Sequence, residues 1–452
     1  MAFKDLRQFL ARLQEIPGEV VSVKEELSPL FEISAVLKEV ASRDDGPVVI
    51  FEHVKGYPAT SVVGNVLGTR KRLAIALDTT EDNIGPDYVQ RLENPIKPVL
   101  VANGPACEVV VKDDDDLLAV LPIMTYSERD SGPFISAGVC IGKDPETGTQ
   151  SMGIHRLEVK GKNRLGILLA NPPLATFLAK AEAANAPLEM AVAVGVDPVV
   201  DFSSVVQVTS VVDKFDIAGA LRRAPVELVK AQTVDLAVPA TAEVVIEGRI
   251  QPGVREVNGP FGESTGYYLT YDTPIIEVTA VTHRRNPIYR VIEPWSREGD
   301  SLFIGTINML FRNLKALVPS IQAINFLPGS VGGTCVISLK RRSKGESKRV
   351  LTLVLGMTTR IKRAIVVDDD VNINDPREVE WALATRFQPD EDLIVVANTD
   401  ALVIDPSARP GRVGGAMGMD ACKPFGNPPE FDKIRAPQEH EERAKELLRR
   451  YL

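Results

Sequence analysis

Cysteine and histidine are scarce in this 452-residue chain, four of each. Cys107, Cys140, Cys335 and Cys422 stand far apart with no CxxC pair. That spacing excludes a zinc knuckle and a disulfide framework, and it suits a reducing compartment. His53, His155, His283 and His440 are equally scattered, so the sequence offers no histidine-rich metal centre. Basic residues are outnumbered by acidic ones, 52 to 61, for a formal charge of −9. The basic stripe that nucleic-acid phosphates require is missing, and short clusters such as Lys340, Arg341 and Arg342 read as solvated. No apolar run reaches the roughly eighteen residues of a membrane span. The first fifteen residues, with Lys4, Asp5, Arg7 and Arg12, read as an amphipathic helix and not a signal peptide. These exclusions leave a cytoplasmic protein with a small-molecule partner, no nucleic acid and no membrane.

What is present is an ordinary globular composition, 44% hydrophobic and 25% charged, long enough for about three domains. Residues 1–115 alternate helical and extended patterns: helices over 5–13 and 30–40, strands over 20–23, 48–51 and 61–66. The four acids at 113–116 read as a solvated turn. Residues 116–300 are mostly strands, at 151–159, 165–169, 189–195, 204–212, 242–250 and 275–283, with a helix at 174–184. One barrel-like sheet is the natural packing for them. Residues 301–452 return to α/β alternation, with a long helix over 301–317 and strands at 323–326, 335–339, 364–367 and 393–396. Asp375 is the expected N-cap, and Pro376 the first residue, of a helix joining the last two strands in a βαβ unit. A charged helix over 436–452 closes the chain.

Three segments concentrate unusual residues. In Met152-Gly153-Ile154-His155-Arg156 the arginine is either a surface charge on a strand edge or an inward anion clamp, since a guanidinium offers a fork of donors to a carboxylate. The glycines and proline of the run from Asn258 to Tyr268 imply a tightly turned loop. Glu263 within it is either an exposed turn residue or a carboxyl desolvated by Phe261, Tyr267 and Tyr268, with its pKa raised into the range of a general acid. The Gly-rich run from Pro410 to Asp420 fits neither the GxGxxG fingerprint nor the P-loop, and reads as a lid or a plain loop.

These segments, together with Val238-Pro239-Ala240, Val367-Asp368-Asp369-Asp370-Val371-Asn372, Trp381-Ala382-Leu383-Ala384-Thr385-Arg386 and Met417-Gly418-Met419-Asp420-Ala421, resemble the UbiD family of decarboxylases over almost the whole chain. The resemblance implies an N-terminal α/β domain, a central split β-barrel that holds flavin, and a C-terminal α/β domain that oligomerises. It also implies prenylated FMN, made by a flavin prenyltransferase, with its phosphate bridged through a divalent metal and potassium. The implied reaction is reversible decarboxylation of an aromatic or α,β-unsaturated acid, releasing CO2, in a homodimer or homohexamer.

Of the Glu–Arg–Glu trio that works in that family, the arginine matches Arg156 and the proton-donating acid matches Glu263. The third position is Asn258, an amide that can orient Arg156 but cannot carry charge. The family's metal ligands fall on Ser151, Asn171 and Lys214. An ammonium has no lone pair for a hard cation, so no metal site is expected here. The tail lysine of the family falls on Ala416, with Lys423 a few residues later. Ser151, Ile154, His155, Arg156, Asn171, Lys214 and Lys423 are therefore the expected cofactor contacts. The pocket wall is expected from Phe261, Tyr267, Tyr268 and residues 288–295. Two readings follow from the departures: Lys214 replaces the metal at the phosphate, or the chain no longer uses prenylated FMN, as a regulatory subunit of a heteromeric carboxylase or as an enzyme of other chemistry.

Overall fold

The computed structural model describes residues 3–112, 116–206, 212–426, 428–434 and 436–451, folded into helices and four sheets. Helix Leu6–Gln14 opens the chain, with the Asp5 carboxylate accepting the N–H of Gln8 as an N-cap. Leu6, Phe9, Leu10 and Leu13 fall at helical spacing and form its buried stripe. Strands Val20–Leu27, Val48–Val54 and Ser61–Gly64 make a four-stranded sheet whose last member, Ile288–Arg290, returns from much later in the chain. Of the acidic run, residues 113–115 lie outside the described residues.

The middle of the chain builds one nine-stranded sheet around the antiparallel pair Val244–Gly262 and Tyr268–His283. Residues 151–159 are not one strand. Gln150–Ile154 pairs with Val139–Lys143 at one end of the sheet, and Leu157–Val159 pairs near the other end with Phe134–Ile135 and Arg164–Ile167. Only His155 and Arg156 separate them. Two residues reach no more than about 7–11 Å, so the two ends of the sheet lie side by side. No ladder joins them among the described residues, and the barrel is split there.

Two further expectations are corrected in this region. Half of the run from Gly259 to Tyr268 is strand, and the tight turn expected there is confined to residues 263–267. Its pairing continues through Phe261–Leu269 and Gly262–Tyr268, with a register shift after Asn258 that absorbs Gly259, where φ is 105°. Residues 204–212 are not a strand as far as they are described. Ser204 ends helix Pro198–Ser204, Asp213 caps helix Lys214–Arg222, and residues 207–211 lie outside the described residues.

The C-terminal sheet runs in the order Ile321–Phe326, Thr334–Leu339, Arg363–Asp368, Val413–Asp420, Leu393–Asp400. Most of the Gly-rich run, expected as a lid or a plain loop, is a strand. Val413–Asp420 inserts between Arg363–Asp368, to which it is parallel, and Leu393–Asp400, to which it is antiparallel. The βαβ unit therefore lies one step earlier, joining Thr334–Leu339 to Arg363–Asp368 through helix Glu346–Met357. The small residues of the inserted strand admit that helix: a Cβ at Gly418 would meet Leu351 at 3.1 Å. Asp375 caps helix Pro376–Arg386 through the N–H of Arg377, as expected. The residues expected as one long helix break at Leu302 and Phe303 into Arg297–Ser301 and Ile304–Leu317.

Candidate active site

The split holds a cavity. Its walls come from Met152 to Arg156, from Phe261 and Glu263 of the hairpin, from Lys214 and Thr306 on two helices, and from Arg360 and Leu402 to Ile404 of the C-terminal part. Arg156 occupies the crossing between the two sheet ends and is buried. Its guanidinium sits against the rings of Phe261, Tyr271 and Phe134, at 5.0, 5.3 and 5.8 Å from their centroids. Ring faces attract the cation without using its N–H groups. None of the three guanidinium nitrogens has a hydrogen-bond partner among the described residues. Arg156 is therefore an inward, buried cation and not a surface charge on a strand edge, with guanidinium donors that could meet an anion.

Glu263 sits at the hairpin end, in a turn held by its own N–H on Tyr267 O and the N–H of Gly266 on Glu263 O, both 2.9 Å. It is only 7% exposed. Its Oε1 lies 2.8 Å from Arg156 Nε, off the direction of a hydrogen bond, so the two charges meet while their donors and acceptors stay available. Burial raises the Glu263 pKa, against the opposing pull of Arg156 and of the Ser264 N–H. The same burial lowers that of Arg156, against the pull of Glu263.

Two acids pin the strand that carries Glu263. Asp130 accepts the N–H of Gly262 at 2.8 Å with one oxygen and those of Tyr126 and Ser127 with the other. Glu158 accepts the N–H of Gly259 at 2.9 Å and is itself held by Ser131 and Lys160. Asn258, fully buried one residue before this clamp, has no hydrogen-bond partner on either amide atom among the described residues. It therefore does not orient Arg156 through a hydrogen bond, contrary to expectation. A Cβ at Gly166 would lie 2.7 Å from its Nδ2, so the amide faces strand Arg164–Ile167, beyond the paired strand Tyr268–His283.

Lys214 opens its helix and points into the cavity, where its Nζ donates to Ser204 O at 2.6 Å. Burial alone lowers its pKa to about 7. His155, also buried in the wall, is lowered to about 4 by burial, and it is neutral at pH 7. A neutral ring facing Leu168 O at 2.8 Å donates from Nδ1, which leaves Nε2 as an acceptor. Gly153 makes room for the ring, since a Cβ there would stand 2.9 Å from Nε2. Ile154 and Asn171 also line the cavity. Ser151 is buried on the same strand, its hydroxyl unpartnered among the described residues, but it is not part of the lining. Lys423 is elsewhere: its ammonium lies 3.3 Å from Asp370 and its N–H binds Asp368, so the structure does not bring it to the cavity.

Of the expected wall, Phe261, Ile292 and Pro294 face the cavity. Tyr267, in the hairpin turn, and Trp295, which follows strand Ile288–Arg290, are exposed, at 61% and 65%. Tyr268 instead lies beneath the Arg129 guanidinium, 5.0 Å from ring centroid to cation. The residues missed are Arg360, Thr306, and Leu402 to Ile404, which meet the hairpin through the Tyr271 hydroxyl on Val403 O at 2.9 Å. Nothing local marks them. Asp130 and Glu158 were legible only as acids beside a candidate strand.

The cavity suits an anionic flavin better than a metal. Its lining carries the cations Arg156, Arg360 and Lys214, the last with no ion pair among the described residues, alongside apolar Met152, Ile154, Leu168 and Phe261. Among the described residues no group of three or more His, Cys, Asp or Glu could hold a metal ion. A divalent metal therefore does not fit.

The site is thus a cavity at the split of a barrel, with a ring-caged arginine against a buried acid. Residues 11–92, 99–296 and 302–421 match the N-terminal, Rift-related and C-terminal domains of 3-octaprenyl-4-hydroxybenzoate carboxy-lyase. The chain belongs to the UbiD family. A phenolic acid decarboxylase of Sedimentibacter hydroxybenzoicus is 34% identical, over 99% of this chain and 98% of that protein. The UbiD-class enzyme HmfF from Pelotomaculum thermopropionicum, solved in complex with FMN, superposes with a TM-score of 0.91 at 40% identity, over 97% of this chain and 98% of that one. An evolved dimeric form of HmfF in complex with prFMN gives 0.88 at 38% identity, with 97% and 98% covered.

Proposed function

We propose that this chain is a carboxy-lyase that reversibly removes CO2, without oxidation, from an aromatic or α,β-unsaturated acid with prenylated FMN as cofactor. The observation that carries the reading is the buried contact of Arg156 with Glu263 on the wall of a cavity large enough in its apolar lining for a ring system. Decarboxylase relatives and flavin-bound neighbours support it.

In this reading Met152, Ile154, His155 and Arg156 hold the flavin, with Ser151 and Asn171 as its polar surroundings. When bound, the flavin supplies the electron sink that makes loss of CO2 feasible. Arg156 takes the substrate carboxylate through the donors that its three aromatic neighbours leave free. Phe261 and Tyr271 keep water from that ion pair, which strengthens it. Glu263, its carboxyl pKa raised by burial, is placed to deliver a proton to the carbon that has lost CO2; in the carboxylation direction it takes the proton back. Asn258 contributes shape to this wall, not charge. The cofactor comes from a flavin prenyltransferase, and the chain works as a homo-oligomer.

Replacing Glu263 by Gln removes the proton and keeps the shape. Turnover should fall by roughly 10²–10⁴-fold, the usual contribution of a general acid, while flavin binding is retained. Turnover unchanged in Glu263→Gln would remove Glu263 from the mechanism.

A further inference from the structure

The polar end of the cavity allows a step that rests on the flavin reading and extends it. A UbiD-type site is expected to meet the flavin phosphate through a divalent metal, and this chain offers no ligand set for one among the described residues. Residues 207–211, Gln-Val-Thr-Ser-Val, add no His, Cys, Asp or Glu by sequence. What the cavity does offer there is Lys214, 3% exposed, whose Nζ has the Ser204 carbonyl as its hydrogen-bond partner at 2.6 Å. One carbonyl leaves two ammonium protons unused.

Buried charges are retained where they are paired. Arg360, on the same cavity, lies over the Phe303 ring, 3.8 Å from its centroid, and donates to Val331 O at 3.2 Å. Three other buried cations beside this region have an acid: Arg156 has Glu263, Arg290 has Asp201 and Glu298, and Arg222 has Asp197. Lys214 has none among the described residues, and burial is the one cause that shifts its titration, with no carboxylate opposing it. An anion in the cavity would supply the counter-charge that keeps it an ammonium. The ammonium also stands at the first turn of helix Lys214–Arg222, whose positive end favours an anion. The neighbouring His155 is neutral, so it neither repels a cation strongly nor competes for the anion.

We propose that Lys214 binds the phosphate of flavin mononucleotide directly, as a fixed ammonium standing where a divalent metal would otherwise bridge phosphate and protein. FMN loading then needs no metal, and the phosphate contributes affinity through one side chain.

The test uses full-length, cofactor-free protein titrated with FMN and with riboflavin, which lacks the phosphate, following flavin fluorescence in EDTA and in manganese chloride. Wild type is expected to bind FMN at least tenfold more tightly than riboflavin, with the same Kd in both buffers. Lys214→Met is expected to lose that preference and to bind riboflavin as wild type does. FMN binding that disappears in EDTA and returns with manganese overturns the proposal, as does an unchanged FMN preference in Lys214→Met. If Lys214→Met does not fold, the wild-type arms decide alone: no FMN preference, or metal dependence, overturns it. Absence of binding by either flavin overturns both this inference and the flavin reading. Metal-independent, Lys214-dependent FMN binding by a protein that evolves no CO2 when loaded leaves the inference standing and removes the decarboxylase reading.

Discussion

Lys214 carries a cost before it carries a function. Its pKa of about 7 in the folded chain lies below the ordinary lysine value of 10.5, so the unfolded state binds more protons between those limits. The penalty grows as pH falls from 10.5 to 7 and is constant below that. Cofactor-free Lys214→Met should therefore be more stable than wild type at pH 7, by about 1–2 kcal/mol, and the gain should shrink as pH approaches 10. Thermal melts of the two proteins at several pH values check this. At the scale of single residues the sequence was informative about identity and silent about surroundings. Arg156 and Glu263 stood out by motif, but their burial depends on rings from three strands. Asn258 and Lys423 were placed at the site by spacing, whereas one faces Gly166 on strand Arg164–Ile167 and the other pairs with Asp370.

The element that sets the chemistry is the hairpin from Val244 to His283, and its tip is fixed by backbone N–H groups on acids from elsewhere in the sheet. Asp130→Ala deletes the acceptor for Gly262 and for two further N–H groups, freeing the strand that aims Glu263. Such a change should lower kcat about tenfold or more, since small displacements of a positioned group are costly. FMN affinity, set on other strands and on a helix, should stay within about twofold; steady-state kinetics beside flavin titration separates the two. This element was half legible. The glycines and proline announced an irregular backbone, but turn residues in sequence cannot distinguish a loop from a bulged strand, because only the partner strand decides. The same ambiguity hid the strand Val413–Asp420, whose small residues serve helix packing and whose β-propensity is weak.

Across the whole molecule, one buried network ties the parts that surround the cavity. Arg290, fully buried on the strand that returns to the first sheet, meets Asp201 of helix Pro198–Ser204 and Glu298 of helix Arg297–Ser301. Glu298 also accepts the N–H of Leu67. Burial pushes the Asp201 carboxyl up to about 7 despite Arg290 beside it. Arg290→Met would strand two buried acids, and urea unfolding should show a loss of about 3–5 kcal/mol. The overall architecture was the most legible level, because α/β alternation, a strand-rich middle and a second α/β part are written in periodicity along the chain. The split was not legible. It arises because His155 and Arg156 carry the chain between two ends of one sheet, a long-range fact that local pattern does not record. That crossing puts the Arg156 guanidinium at the cavity wall, where the proposed chemistry needs it.

The most direct test of the central claim is CO2 release by the full chain co-expressed with a flavin prenyltransferase, assayed on a panel of aromatic and α,β-unsaturated acids. The account predicts that the purified protein carries prenylated FMN, identified by mass, and releases CO2 from at least one acid of the panel, with the activity lost in Glu263→Gln. Protein loaded with prenylated FMN that evolves no CO2 from any of them, and catalyses no exchange of labelled bicarbonate into them, would contradict it.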